Sequence, residues 1–518
     1  MTFACRPSPV YHQRMSEADP AGNSPNRWAV LMVVMVGSFM ATLDSVIVGV
    51  VMPHIMTSLN TSLELIEWIV TAFMIVSAAV MPLVGWMGDR FGYDRLFMAT
   101  LALFTIGSAL CGLAPNVQSL IAARVVQGMG AGMSQSISIA MISRAFEREE
   151  RGRALGIWGL GTMFGPLVGP TLGALITQYF EWRAIFFVNV PVGLVTLLFC
   201  LRVFAQKEQR VIPAPFDWSG FFSLVVMLAC LLLGLDYAQD HGWDARLTII
   251  YFCVSAVALV LFLLRESKTE HPIVPLRMFK SRDLSLSLGI TLLRAILLFG
   301  FLFLMPVFLE NVKGLSLVQT GLTALPAGIS LIIFMPVAGR LTDKIGARMP
   351  TFFGFFLIAL SYLFFDAADP KSTAWQIMYP LVFRGAGLAF LITATTTAAM
   401  NAVEKKDTGT ASSLINICAM AGGSLGIALL STLLAHRTVA HIIEQNADFS
   451  AEHAHQIISR LSNLDSAPDI AASAVTMLSH KIATVNAFDD VFLFCAIIAA
   501  IGFIPALLLA SHHSKKPE

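Results

Sequence analysis

Residues Met81–Gly92 read MPLVGWMGDRFG, and Met335–Gly346 read MPVAGRLTDKIG. Five positions recur in register 254 residues apart: Met81 and Met335, Pro82 and Pro336, Gly85 and Gly339, Asp89 and Asp343, Gly92 and Gly346. A second pair supports the same duplication. GRALGIWGLGTMFGPLVG, 152–169, lies over GTASSLINICAMAGGSLG, 409–426, and matches at five positions with an offset of 257. The chain is therefore built from two similar halves. Each copy of the first motif stands where an apolar run gives way to charge, so a helix leaves the bilayer there. Its glycines permit a tight turn and close helix approach, and Asp89 or Asp343 can accept from backbone amides or from a cation on a neighbouring helix. Contacts of that kind, broken and remade, form a latch. The ordinary alternative is a solvated turn between helices, which the in-register repetition disfavours.

The composition fixes the class. Of 518 residues, 56% are hydrophobic and only 13% charged, with a mean hydropathy of +0.73. Soluble chains carry about 25% charge, so the chain is an all-α polytopic membrane protein. A net charge of +1 with scattered Lys and Arg gives no field for nucleic acid. The seven cysteines form no CxxC pair or disulfide framework and read as inert core thiols. No metal cluster is legible. No cleavage site follows the first apolar run, which reads as an uncleaved span, and Met15 offers an alternative start to Met1.

Runs long enough to cross a core of ~30 Å recur fourteen times, near 28–52, 66–86, 96–113, 118–142, 153–177, 184–203, 217–235, 247–264, 284–309, 319–339, 350–366, 375–400, 409–434 and 487–511. This predicts a tail at 1–27, a six-helix bundle at 28–203, a linker with two inserted helices at 204–282, a second six-helix bundle at 283–511 and a tail at 512–518. Segments on the side of the termini hold 24 Lys and Arg, the opposite side seven, and the spans three. The positive-inside rule then puts both termini in the cytoplasm. Segment 436–486 reads as a polar extracytoplasmic loop, in which Val475, Leu478, Ile482 and Val485 predict an amphipathic surface helix.

An ionisable side chain at mid-membrane costs ~2.5–3.5 kcal/mol and points to function by default. Asp44 is the one acid well inside a predicted span, and Arg124, Arg294 and Arg384 are the bases. Proton coupling needs a carboxylate whose charge is controlled by burial and by a cation at a changing distance. Asp44 is the candidate, and the alternative is a structural carboxylate between helices. Arg294 lies about 15 Å into the first helix of the second half, the repeat partner of the helix carrying Asp44, so the two are expected to face each other across a cavity. Arg124 reads equally as a coupling group or an inter-helix staple, and Arg384 as structural. Gly161, Gly165, Gly169 and Gly173 recur every fourth residue and form a bare ridge for close packing, with Pro166 adding a kink.

These stretches carry a resemblance. GWMGDRFGYDRLF, 85–97, resembles the loop signature of the major facilitator superfamily, with MPVAGRLTDKIGAR as its second copy. LIAARVVQGMGAG, 120–132, resembles the superfamily's fourth-helix motif, and GTMFGPLVGPTLG, 161–173, the fifth-helix motif of antiporters. LDSVIVGVVMPHI, 43–55, and EWRAIFFVNVPVG, 181–193, are similar to the fourteen-span drug:proton antiporters of the EmrB type. The resemblance implies the major facilitator fold, two six-helix bundles plus two extra helices, in a bacterial inner membrane. It places Asp44 and Arg124 on the family's charged positions, gives Gly85, Asp89, Arg90, Gly92, Arg95, Gly339, Asp343 and Gly346 to a cytoplasmic gate, and gives the ridge with Pro166 to a seal against leak. Tyr93 and Asp94 stand where many relatives place basic residues, leaving Asp89, Arg90 and Arg95 to make the first latch.

The function this implies is proton-driven export of amphiphilic or hydrophobic toxic compounds, with the proton gradient in place of a cofactor. Suggested partners are small amphiphilic molecules, the lipid bilayer and, in a double-membraned bacterium, a periplasmic adaptor at the outer loop with an outer-membrane channel beyond it. The alternative for that loop is a cap on the outer face. Competing readings are a metabolite symporter, which would need more polar spans, and a transport-inactive sensor of the same fold. An enzyme is disfavoured, because no HExxH, GxSxG or Walker motif is present.

Overall fold

A computed structural model describes residues 26–204, 215–366, 374–448 and 467–510. The first half comprises α1 (Arg27–Leu59), α2 (Leu63–Val80), α3 (Leu83–Phe91), α4 (Tyr93–Leu113), α5 (Val117–Ala145), α6 (Arg151–Tyr179), α7 (Ala184–Phe187) and α8 (Asn189–Val203). Two further helices follow, α9 (Trp218–His241) and α10 (Arg246–Glu266). The second half comprises α11 (Arg282–Val307), α12 (Leu317–Ile345), α13 (Arg348–Asp366), α14 (Ala374–Asn401), α15 (Thr408–Asp448), α16 (Ala467–Ile501) and α17 (Phe503–Leu508).

Twelve of these segments are long and apolar enough to cross a membrane, and thirteen when α2 and α3, bent by 57°, form one broken span. The fourteenth of the expected count is α5. Its 29 residues reach about 44 Å, but Arg124, Gln127, Gln135 and a run of serines make it too polar for the hydropathy test. That polarity is turned inward, since Arg124, Gln127, Ser134, Ser136, Ser138 and Ser143 are all buried.

Local chemistry sets the helix ends. The Asn116 side chain accepts from Ser119 N at 2.9 Å while the Ser119 hydroxyl accepts from Asn116 N at 3.3 Å, a reciprocal cap that starts α5. Ser316 and Gln319 cap α12 in the same way. Gly92 and Gly346, the last residues of the repeated motif, both adopt left-handed backbone with φ of 86° and 81°. A side chain would be strained at either, which is why the repeat closes on glycine.

Arg27 and Ala510, at the two ends of the described chain, define a terminal face. Arg27 pairs there with Glu150, and Ala510 N donates to Asp283 at 3.0 Å. On this face the first half's core runs on into the second half through Met400, Val403, Ala411 and Ile415. The second half has its own core around Phe301, Tyr362, Phe365, Phe488 and Phe492. The additional pair bridges the halves: α9 packs on α2 and on α15, and the Ser255 hydroxyl of α10 donates to Met227 O of α9 at 2.9 Å.

Of the expected loop at 436–486, residues 449–466 lie outside the described residues, and the described ends are helical. α15 runs on to Asp448, and α16 begins at Ala467 and continues unbroken into its membrane span. Ile482 and Val485 thus belong to a span's extension rather than to a separate surface helix, and the side chains of Val475 and Leu478 lie outside the described residues. Helical spacing in a sequence cannot show that a helix fails to stop.

Candidate functional site

Asp44 lies mid-way along α1 and is fully buried. Arg124 of α5, equally buried, pairs with one of its carboxylate oxygens. The other oxygen accepts from Gln127 Nε2 at 2.8 Å and from Asn189 Nδ2 at 3.0 Å. Gln127 also donates to the Ser108 hydroxyl at 2.6 Å and accepts from Arg124 at 2.7 Å. Arg124 Nε donates to Ile69 O of α2 at 3.1 Å, and its guanidinium lies 3.9 Å from the centroid of the Phe73 ring. Five helices, α1, α2, α4, α5 and α8, thus converge on one carboxylate. Replacing such a pair by apolar side chains is often neutral or stabilising, so its presence in a bilayer core argues for a role other than stability.

The glycine ridge positions this acid. α6 lies so close to α1 that a Cβ on Gly165 would stand 2.7 Å from Leu43 N and 2.6 Å from Thr42 Oγ1, beside Asp44. At Gly173 it would stand 2.9 Å from Ile47. The second half repeats the arrangement, Gly422 and Gly426 of α15 packing on Leu292 O and Ile296 O of α11. The ridge therefore joins helices within each half.

Contacts between the halves gather at the terminal face. Asp343, at the end of α12, accepts from Gly152 N at 2.7 Å and Arg153 N at 2.8 Å, so its carboxylate sits on the amide-rich start of α6. A Cβ on Gly339 would come within 2.2 Å of Gly152 O. The counterpart contact is exchanged between halves: a Cβ on Gly409, opening α15, would come within 2.7 Å of Gly85 Cα. Gly85 meets Gly409 and Gly339 meets Gly152, and these are the two repeat pairs swapped, as a pseudo-twofold relation between the halves requires.

The two latches differ in chemistry. Asp89 pairs with Arg144 of α5 at 3.2 Å, and Arg144 donates on to Lys405 O at 3.1 Å and to the Thr408 hydroxyl at 3.1 Å. The Tyr93 ring lies under the Arg144 guanidinium at 3.9 Å. Arg144 is a cation on a neighbouring helix of the kind expected for Asp89, whereas Arg90 and Arg95, expected in the first latch, are not its partners among the described contacts. Arg90 stacks on Trp86 at 4.9 Å, and Arg95 is exposed. Tyr93, in place of a basic residue, accommodates a cation supplied by another helix. Arg151 adds further contacts across the halves, donating to Met400 O at 3.2 Å and to Asn401 at 3.0 Å.

Arg294 is not paired with Asp44, against expectation. The carboxylate's partners all come from the first half, while Arg294 is 7% exposed, makes no hydrogen bond or ion pair among the described residues, and has an orphaned Nε. Arg384 is a staple, donating to Leu297 O at 2.6 Å and to the Tyr362 hydroxyl at 2.9 Å. Sequence reasoning assigned nothing to Gln127, Asn189, Ser108 or Arg144. Gln127 lies one turn beyond Arg124, and Asn189 lies inside EWRAIFFVNVPVG, but only the fold brings Asn189 to an acid 145 positions earlier.

The family model described as Major Facilitator Superfamily matches residues 34–427. The chain is 32% identical over 418 residues to the probable multidrug resistance protein EmrY of Escherichia coli, covering 80% of this chain and 81% of that one. It is 30% identical to the multidrug export protein EmrB of Haemophilus influenzae, covering 79% and 81%. Among solved structures, the human organic anion transporter MFSD10 superposes with a TM-score of 0.62 over 93% of this chain and all of that one, and at 12% identity this shows the fold alone. With two exchanged helix contacts, two six-span halves and these relatives, the chain belongs to the Major Facilitator Superfamily, among its EmrB-like members.

Proposed function

We propose that the protein is a proton-driven exporter of amphiphilic or hydrophobic toxic compounds that works by alternating access. The observation that carries this reading is the buried pair of Asp44 and Arg124 in the core of a six-span half. The names of its relatives, multidrug resistance and export proteins, support the substrate class. Protonating Asp44 removes the charge that Arg124 answers, leaving a buried cation whose partners among the described residues, Gln127, Ile69 O and the neutral carboxyl, carry no counter-charge. That costs several kcal/mol unless α1 and α5 shift. A proton can thereby be converted into helix movement.

Charge asymmetry supports placing the terminal face in the cytoplasm of a bacterial inner membrane. With the latches closed there, the described state reads as outward-facing. Parallel halves rocking about a midplane site exchange this state for its opposite. α15 spans about 61 Å and α16 about 52 Å, so both overrun the bilayer. Their outer ends are the surface a periplasmic adaptor, and through it an outer-membrane channel, would meet.

The test uses purified protein in vesicles with an imposed pH gradient and a panel of lipophilic cations, weak acids and neutral compounds. Wild type is expected to release protons on substrate addition. Asp44→Asn is expected to abolish this by at least 100-fold while retaining substrate binding. Full proton-coupled transport by Asp44→Asn would sink the assignment.

A further inference from the structure

Three polar side chains of α11, Ser287, Thr291 and Arg294, recur at i, i+4 and i+7 and so share one helix face. All are buried, with exposures of 0%, 0% and 7%. All three are unsatisfied: Ser287 Oγ, Thr291 Oγ1 and Arg294 Nε have no hydrogen-bond partner. A helical Ser or Thr ordinarily satisfies itself on the carbonyl one turn back, as Thr105, Thr196, Thr323 and Thr395 do here. Ser287 and Thr291 do not. Buried polar groups are almost always paired, and three orphans in one row on one helix call for a partner.

The charge of the row says what that partner is. Asp44, on the equivalent helix of the first half, is answered by Arg124 and Gln127 of α5 and Asn189 of α8, whereas among the described residues no side chain answers Arg294. A guanidinium flanked by two hydroxyls offers only donors to an anion's oxygens, in a geometry suited to carboxylate or sulfonate. We propose that Ser287, Thr291 and Arg294 form the recognition site for the anionic group of an exported amphiphile, a carboxylate or sulfonate carried on an apolar body. This deepens the exporter reading by naming a substrate class, and it moves Arg294 from proton coupling to substrate recognition.

The test is equilibrium binding to the full-length protein in nanodiscs, using taurocholate and tetraphenylphosphonium, whose charges are permanent at any working pH. Wild type is expected to bind taurocholate, and Arg294→Gln to weaken it 10- to 100-fold, in keeping with the loss of charge-assisted hydrogen bonds. Arg294→Lys should recover part of the loss, and Ser287→Ala/Thr291→Val should weaken binding about 2- to 10-fold. The melting temperature should hold in the Ser287→Ala/Thr291→Val variant, separating recognition from misfolding, and tetraphenylphosphonium should bind wild type more weakly than taurocholate does. Unchanged taurocholate affinity in Arg294→Gln overturns the proposal, as does failure of wild type to bind taurocholate. Chloride shares the charge but lacks the apolar body. Binding of radiolabelled chloride that depends on Arg294, without taurocholate binding, also overturns it. If taurocholate binds through Arg294 but drives no proton movement in vesicles, the site stands and the proton-coupled exporter reading fails.

Discussion

At the scale of single residues, Asp44 and Arg124 show how costly a buried charge becomes once its partner is removed. Arg124→Gln leaves the carboxylate with Gln127 and Asn189 but no counter-charge, and is expected to lower stability by about 3–5 kcal/mol. Thermal unfolding in detergent would check this. Asp44→Asn with Arg124→Gln should lose less than the sum of the two single changes, because neither orphan charge remains. The glycine ridge gives a sharper test, since its members are unequal. Gly165→Ala places a Cβ against the α1 backbone beside Asp44 and is expected to cost about 1–3 kcal/mol and to impair transport. Gly169→Ala meets side chains, Val46 at 3.4 Å and Leu43 at 3.7 Å, and should be close to neutral. Equal effects of the two would show that the ridge does not position the acid. A four-residue glycine period is plain in the sequence, but which glycine is tightest depends on how α1 crosses α6.

Among the elements, helix ends carry the contacts between the halves. Asp343 neutralises the start of α6 from the opposite half, so Asp343→Ala should loosen the terminal face. Spin labels on exposed Glu149 and Lys344 should then report longer distances in pulsed EPR, and an unchanged distribution would remove Asp343 from the latch. Gly339→Ala, with no room beside Gly152 O, should open that face more than Gly85→Ala, whose nearest neighbour is the rotatable Thr410 hydroxyl. The helix pair between the halves has its own anchor. Asp217 caps α9 by accepting from Gly220 N at 3.1 Å, and Ser219 and Arg265 also donate to it. Burial alone would raise its carboxyl, but these donors hold it below the usual carboxylate range. Its stabilisation is therefore present above its unfolded value, near pH 4, and is lost as pH falls through the lower folded value. Asp217→Ala should cost about 1 kcal/mol near neutral pH, with the difference from wild type shrinking in acid. Comparing melting temperatures at pH 7 and pH 3 would check this.

For the whole molecule, rocking of two halves predicts opposite signs at opposite faces. Labels on Asn60 and Gly314, at the far face, should approach each other when Glu149 and Lys344 separate on adding substrate under low pH. Movement of both pairs in the same direction would exclude rocking. The sequence by itself determined the membrane class, the duplication, the approximate placement of the spans and the presence of Asp44 and Arg124 inside them. Composition, period and repeat offset are local or self-referential properties, which a chain displays without being folded. Tertiary structure decided who meets whom. It identified Arg144 as the cation that meets Asp89, surrounded Asp44 with Gln127 and Asn189, left Arg294 without a counter-charge among the described residues, and extended α15 to Asp448 and started α16 at Ala467. It also bent the chain at Pro82 while carrying α12 unbroken through Pro336, although both prolines sit in the same repeated motif. Each of these outcomes depends on distances between segments far apart in the chain, which crossing angles and close glycine contacts set and residue order does not encode legibly.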